Sequence, residues 1–282
     1  MKFDINNIIK IFPTYVNKDF AYTKETLYSF EPLSKLSKIN KKDIDQKKIN
    51  GYDNPGIISE LNDFNYRCDN FIKDHFGKHI LFAGCSVTFG SGLEIEETWS
   101  KKLYNLINQD SKCSGYFNLA TPGSSITNQI ILLFKYFKNY GNPEIIFLNS
   151  PGLFRFYSYS NVDDLFFDSF YSDESKKIIN LISYQYYLML DQYCKSNNIK
   201  LYCFSWKDKK ENDKDLFYNI ENTFINFDSF YSINTKELFD YCENYVLNNK
   251  NKRYLIKARD NDHFGIAFHD YWANFIYKQY IK

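Results

Sequence analysis

The chain has 282 residues, enough for one large α/β domain or a domain with an extension, and it can bury a substantial core without covalent staples. Its 35 Lys and Arg against 34 Asp and Glu leave a net charge of +1, which argues against broad neutralisation of a phosphate backbone and so against nucleic acid as a partner. Six cysteines form no C-x-x-C pair, so neither a zinc site nor a redox motif is expected, and no run of 18 apolar residues suggests a membrane span.

The segment from Met1 to Asn7 has no uninterrupted apolar stretch of the signal-peptide kind, so a soluble, cytoplasmic chain with reduced thiols is expected. Residues 1–77 differ in character from the rest of the chain. Short apolar pieces such as Ile8-Ile9-Lys10-Ile11-Phe12 are broken by Pro13, Pro32, Pro55 and Gly56, and Lys35 to Lys42 forms a solvated basic stretch. We read 1–77 as an N-terminal extension packed on a main domain covering 78–282.

From Lys78 onward strand-like and helix-like segments alternate, the pattern of a parallel sheet covered by helices. Ile80 to Ala83 reads as a buried strand. Thr98 to Asn108 carries Trp99, Leu103, Leu106 and Ile107 at helical spacing, with Glu96, Glu97 and Thr98 suited to its N-terminal end. Tyr116 to Ala120 is a second strand ended by Pro122-Gly123. A helix capped by Ser124 or Ser125 reaches Tyr140, with Ile126, Ile130, Leu133, Phe134 and Phe137 inward.

Glu144 to Asn149 reads as a third strand, Ser175 to Ser196 as a helix and Ile199 to Phe204 as a fourth strand. The polar 207–259 region shows only a helix from Thr235 to Leu247. Gly265 to Tyr280, with Ile266, Phe268, Tyr271, Trp272, Phe275 and Ile276, makes a closing amphipathic helix. The 20% aromatic content accompanies abundant Ile, Asn and Lys and scarce Ala, a bias of AT-rich coding sequence that says little about function.

Chemistry concentrates in two places. Gly84-Cys85-Ser86-Val87-Thr88-Phe89-Gly90-Ser91-Gly92 follows the first strand, where α/β sheets bind ligands. It lacks the lysine and the glycine spacing of a P-loop, and no G-x-G-x-x-G is present, so nucleotide binding is disfavoured. Asp260-Asn261-Asp262-His263 places a carboxylate three residues before an imidazole, near enough in a loop or first helical turn to accept a ring N–H. Each segment alone is commoner as a turn; together they pair a serine with a base and the group that orients it. Asp262 is the alternative partner, disfavoured because sequence neighbours point apart.

With these segments the chain resembles the SGNH (GDSL-type) hydrolases, and is similar to the GCS variants of phage-encoded members. Gly84-Cys85-Ser86 matches the family's Gly-Asp-Ser motif, Asn118 to Gly123 resembles its N-x-G-x-x-G-like segment, and Asp260 to His263 matches its Asp-x-x-His. The resemblance spans residues 78–282. It implies a three-layer α/β/α sandwich with a mostly parallel sheet, SGNH- or flavodoxin-like.

By position it also implies Ser86 as nucleophile, His263 as general base and Asp260 as its orienting carboxylate. The N–H groups of Ser86 and Gly123 would face the oxyanion, with Asn149 as third donor or as a plain strand-end residue. Cys85 replaces the family aspartate, Ala120 stands where glycine is common, and no Gly-x-Asn-Asp follows the third strand.

The implied activity is hydrolysis of a carboxylic ester through an acyl-Ser86 intermediate, on a small acyl ester or an acylated glycan, with no metal or organic cofactor. Two alternatives stand: acyl transfer to a sugar hydroxyl by the same residues, or an inactive binding protein, virion-associated if phage-encoded. Arg155 could bind an anionic substrate group or form an exposed ion pair. His269 reads as a surface or packing residue; His75 and His79 precede the first strand without a carboxylate at useful spacing.

Overall fold

The structure is a computed structural model that describes residues 61–64, 66–150, 173–205, 230–232, 237–238, 240–242, 244, 258 and 263–282. Its frame is a parallel sheet of five strands: β1 (Ile80–Ala83), β2 (Phe117–Asn118), β3 (Ile145–Asn149), β4 (Lys200–Ser205) and β5 (Phe230–Ser232). They lie in the order β2-β1-β3-β4-β5, and every neighbouring pair is parallel.

All four residues of β1 are buried, as a central parallel strand covered on both faces requires. Its alternating side chains divide the core. Ile80 and Phe82 join Ile145, Phe147 and Phe204 against helices α2 (Trp99–Asp110) and α5 (Ile266–Ile276). Leu81 and Ala83 join Phe117, Ile146, Leu148, Leu201 and Cys203 against α3 (Ile126–Tyr140) and α4 (Asp173–Ser196). Between β1 and α2 lie a one-turn helix α1 (Ser86–Phe89) and a 3₁₀ turn, Ile95–Glu97.

The helix ends follow local chemistry. Thr98 caps α2 by accepting the N–H of Lys101, and Ser125 caps α3 by accepting that of Asn128. Asn198, at φ 57°, takes the left-handed turn that ends α4 and delivers the chain into β4.

Three elements differ from the sequence expectation. Tyr116 to Ala120 reads as a strand, yet only Phe117 and Asn118 are paired as β2; beyond them the Ala120 N–H is taken by the Asn118 side chain (3.0 Å), while Leu119 and Thr121 still bond to the β1 segment. β5 lies in the stretch read as holding a helix alone; three residues at a sheet edge are too few to display a period. The closing helix narrows to α5 and continues as a wider, π-type turn over Tyr277–Ile281. Within the expected 235–247 helix, residues 237–238, 240–242 and 244 are helical.

The segment before β1 packs closely on the sheet domain. The N–H of Tyr116 donates to the Asp69 carboxylate (2.7 Å) and that of Asp69 to the Tyr116 carbonyl (3.0 Å). Phe71 meets Tyr136 edge-on, and the His75 and His79 rings stack 3.4 Å apart. All six cysteines are free thiols. Among the described residues no helix is long and apolar enough to cross a membrane.

Candidate functional site

In an open parallel sheet the crevice forms beyond the carboxyl ends of the strands where the strand order reverses, here between β1 and β3. The chain leaves β1 through Gly84, at φ 153°. A Cβ on Gly84 would lie 2.3 Å from the Thr88 hydroxyl and 2.9 Å from the Asn149 carbonyl oxygen, so only glycine passes between α1 and β3. Cys85 follows in extended conformation at the N-cap of α1, its carbonyl accepting the N–H groups of Thr88 and Phe89.

Ser86 is the first residue of α1, where backbone N–H groups have no intrahelical acceptor. The residue is 7% exposed. Among the described residues its hydroxyl has one contact, the Cys85 Sγ at 4.0 Å, and it is not bonded to His263.

One turn of helix does not stand by itself, and buried polar groups hold α1 in place. The Thr88 carbonyl accepts both the Ser100 hydroxyl (3.2 Å) and the Asn118 Nδ2 (3.1 Å). The Tyr116 hydroxyl joins these two side chains at 2.8 and 3.0 Å. Burial pushes the Tyr116 phenol up to about 12, so it stays protonated in this network. Beyond α1 the buried Arg67 guanidinium donates to the carbonyls of Gly90 (3.0 Å), Leu93 (2.8 Å) and, more distantly, Phe89 (3.4 Å).

The second loop leaves β2 alongside this turn. Leu119 and Thr121 extend the contact with β1, donating their N–H groups to Phe82 and Gly84. Gly123 takes the left-handed region at φ 77°, a conformation that disfavours other residues. Pro122 and Gly123 are half-buried while the flanking Thr121 and Ser124 are buried. Gln129 of α3 accepts the N–H of Gly84 (2.9 Å) and donates to the hydroxyls of Thr121 (3.1 Å) and Ser124 (2.8 Å).

Asn149 closes β3, paired in register with Phe204. It is 1% exposed, and neither its Oδ1 nor its Nδ2 has a hydrogen-bond partner among the described residues. Leaving a buried amide unpaired costs about 1–3 kcal/mol, so such groups are exceptions that call for a reason.

His263 precedes α5, its carbonyl accepting the N–H of Ala258 (2.9 Å), and the adjoining Phe264 stacks on Phe268 with ring centroids 4.0 Å apart. On α5 itself His269 is buried, which corrects the surface alternative, and its Nδ1 accepts the N–H of Trp99 at 2.8 Å. Asp260, Asp262 and Arg155 lie outside the described residues.

The structure thus brings the Gly84–Ser86 turn, the loop containing Gly123 and the end of β3 at Asn149 to neighbouring strand ends. His263 lies in the segment leading into α5, the helix that packs with α2 on one face of the sheet. Sequence reasoning did not select Gln129, Arg67 or Ser100. For Gln129 a signal exists: it is a lone polar residue among Ile126, Ile130 and Leu133 on an otherwise apolar face. The chain matches no protein-family model and no curated protein.

Proposed function

We propose that the chain is a serine-dependent ester hydrolase of the SGNH type, built as a three-layer α/β/α sandwich and cleaving a carboxylic ester through an acyl-serine intermediate. The single observation that carries this reading is the buried Asn149 amide, without a hydrogen-bond partner among the described residues, at the carboxyl end of β3 beside the Gly84 turn. A substrate oxygen carrying developing charge is the acceptor that such an amide lacks. The strand order with its switch point between β1 and β3, and the left-handed Gly123, support the same arrangement.

In this mechanism the Ser86 hydroxyl attacks the acyl carbon as its proton passes to the His263 imidazole. Asp260 orients that ring and stabilises the imidazolium that forms. The carbonyl oxygen becomes an oxyanion held by the N–H groups of Ser86 and Gly123 and the Nδ2 of Asn149, each donor worth about 3 kcal/mol in the transition state. Collapse expels the alcohol, protonated by His263, and water activated by the same imidazole releases the acid. Hydrogen bonds of such sites are often loose before substrate arrives, which accommodates a Ser86 hydroxyl that contacts the Cys85 Sγ rather than His263. Small O-acyl groups on a glycan are the substrate class we assign.

The test is turnover of short-chain aryl esters together with labelling by a fluorophosphonate. Wild-type protein is expected to do both, and Ser86→Ala to lose labelling and at least about 10⁴-fold in rate. Turnover unchanged in Ser86→Ala would overturn the mechanism. Well-folded wild-type protein that neither labels nor turns over would favour an inactive relative of the fold.

A further inference from the structure

Gln129 is fully buried on a helix face where its neighbours Ile126, Ile130 and Leu133 are all buried apolar residues. For packing alone a leucine or methionine would serve, without the cost of desolvating an amide. The amide is instead fully used. A backbone N–H only donates, so the bond from Gly84 fixes Oε1 toward the nucleophile turn and leaves Nε2 facing the second loop. There Nε2 meets Thr121 and Ser124, the residues that bracket Pro122-Gly123. The Ser124 hydroxyl donates its own hydrogen bond to the Ser125 carbonyl (3.3 Å), so its lone pairs are presented to Gln129.

Gly84 stands two residues before Ser86, and its carbonyl is held by the N–H of Thr121 at 3.2 Å. Both polar groups of the Gly84 backbone are therefore bound to the Thr121–Gln129 stretch. The separation of the Ser86 and Gly123 N–H groups follows from this bridge, because each lies within two residues of one of its anchors. A closed buried network of this kind has a single low-energy arrangement.

Resting on the hydrolase reading, we propose that Gln129 is the positioning residue of the oxyanion hole: it sets the spacing between the Ser86 and Gly123 donors by bridging the two loops. It makes no contact with substrate, since its Oε1 and its Nε2 are both engaged within the protein. Misplacing a donor by about 1 Å costs on the order of 10²-fold in rate, and the loss falls on the transition state rather than on substrate binding.

The experiment compares kcat and KM for a short-chain aryl ester in wild type, Gln129→Met and Ser124→Ala, with circular dichroism and thermal unfolding of each as a folding control. Methionine keeps the volume and the helix propensity while removing the bridge; Ser124→Ala removes one anchor and leaves the Gly84 N–H paired. The expected result is a fall in kcat of about 10²-fold in Gln129→Met with KM changed less than about threefold, and a smaller fall of the same type in Ser124→Ala. A folded Gln129→Met with kcat within about twofold of an active wild type, or with the whole loss in KM, overturns the positioning role alone. If Gln129→Met does not fold, an unchanged kcat in Ser124→Ala overturns it. Wild-type protein with no Ser86-dependent turnover overturns the hydrolase reading and this role with it.

Discussion

The backbone N–H of Trp99, in the first turn of α2, donates to the Nδ1 of His269 on α5 at 2.8 Å, closing a contact between residues 170 positions apart. It satisfies one of the N–H groups that every helix start leaves open, and it needs a neutral imidazole, because a protonated ring has no acceptor. Burial first, then Lys102 and His263, hold His269 down to about 3; Lys102 is itself paired with Asp270 at 2.7 Å.

Acid stability is expected to register this bond. The folded-state value of His269 lies below the unfolded value of about 6.5, so the unfolded chain binds more protons between the two. The contribution is complete above pH 6.5 or so and is lost as pH falls toward 3, at up to about 1.4 kcal/mol per pH unit. His79, held to about 3 by burial and then by His75, adds a loss of the same sign. In urea titrations between about pH 7.5 and 4, His269→Gln, which can offer its own oxygen to Trp99, is expected to show a shallower decline than wild type. Identical slopes would remove His269 as a source of the acid sensitivity.

Asn149 offers a trade between stability and activity. Its amide makes no hydrogen bond among the described residues, so Asn149→Leu relieves a desolvation cost of about 1–3 kcal/mol against whatever the new shape costs in packing. We expect thermal stability equal to or above wild type, with ester turnover reduced by about 10²-fold or more. Clear destabilisation with turnover retained would show that the amide is structural.

Arg67 is 3% exposed, and its guanidinium also lies over the Phe89 ring, 5.5 Å from the centroid. Arg67→Met strips charged donors from the carbonyls that end α1 and its following loop, and the expected loss of unfolding free energy is about 3 kcal/mol or more. Arg67→Lys is expected to recover only part of it, because a single ammonium does not reproduce the planar fork that reaches Gly90 and Leu93. Denaturant unfolding of both variants decides; a change below about 1 kcal/mol in Arg67→Met would mean that the loop holds itself.

The order of β1, α2, α3, β3, α4, β4 and α5 was readable from the sequence, because each is a run of at least four residues whose burial imposes a local period or a continuous apolar block. Thr98 and Ser125 marked their helix starts through cap chemistry that acts within three residues. The glycines at 84 and 123 were likewise visible as turn residues. These features are set by neighbours along the chain.

What only the tertiary structure decided depends on groups far apart in sequence. That Asn149 is left without a partner among the described residues, that Gln129 joins Gly84 to Thr121 and Ser124, that Arg67 holds α1 from 22 or more positions away, and that His269 caps α2 all follow from which strands and helices become neighbours. A polar side chain's role is defined by the donors and acceptors that packing brings within about 3 Å, and no period in the sequence encodes that distance. The strand order β2-β1-β3-β4-β5 belongs to the same class, since it places the ends of β1 and β3 side by side at the switch point, where Gly84 and Asn149 meet.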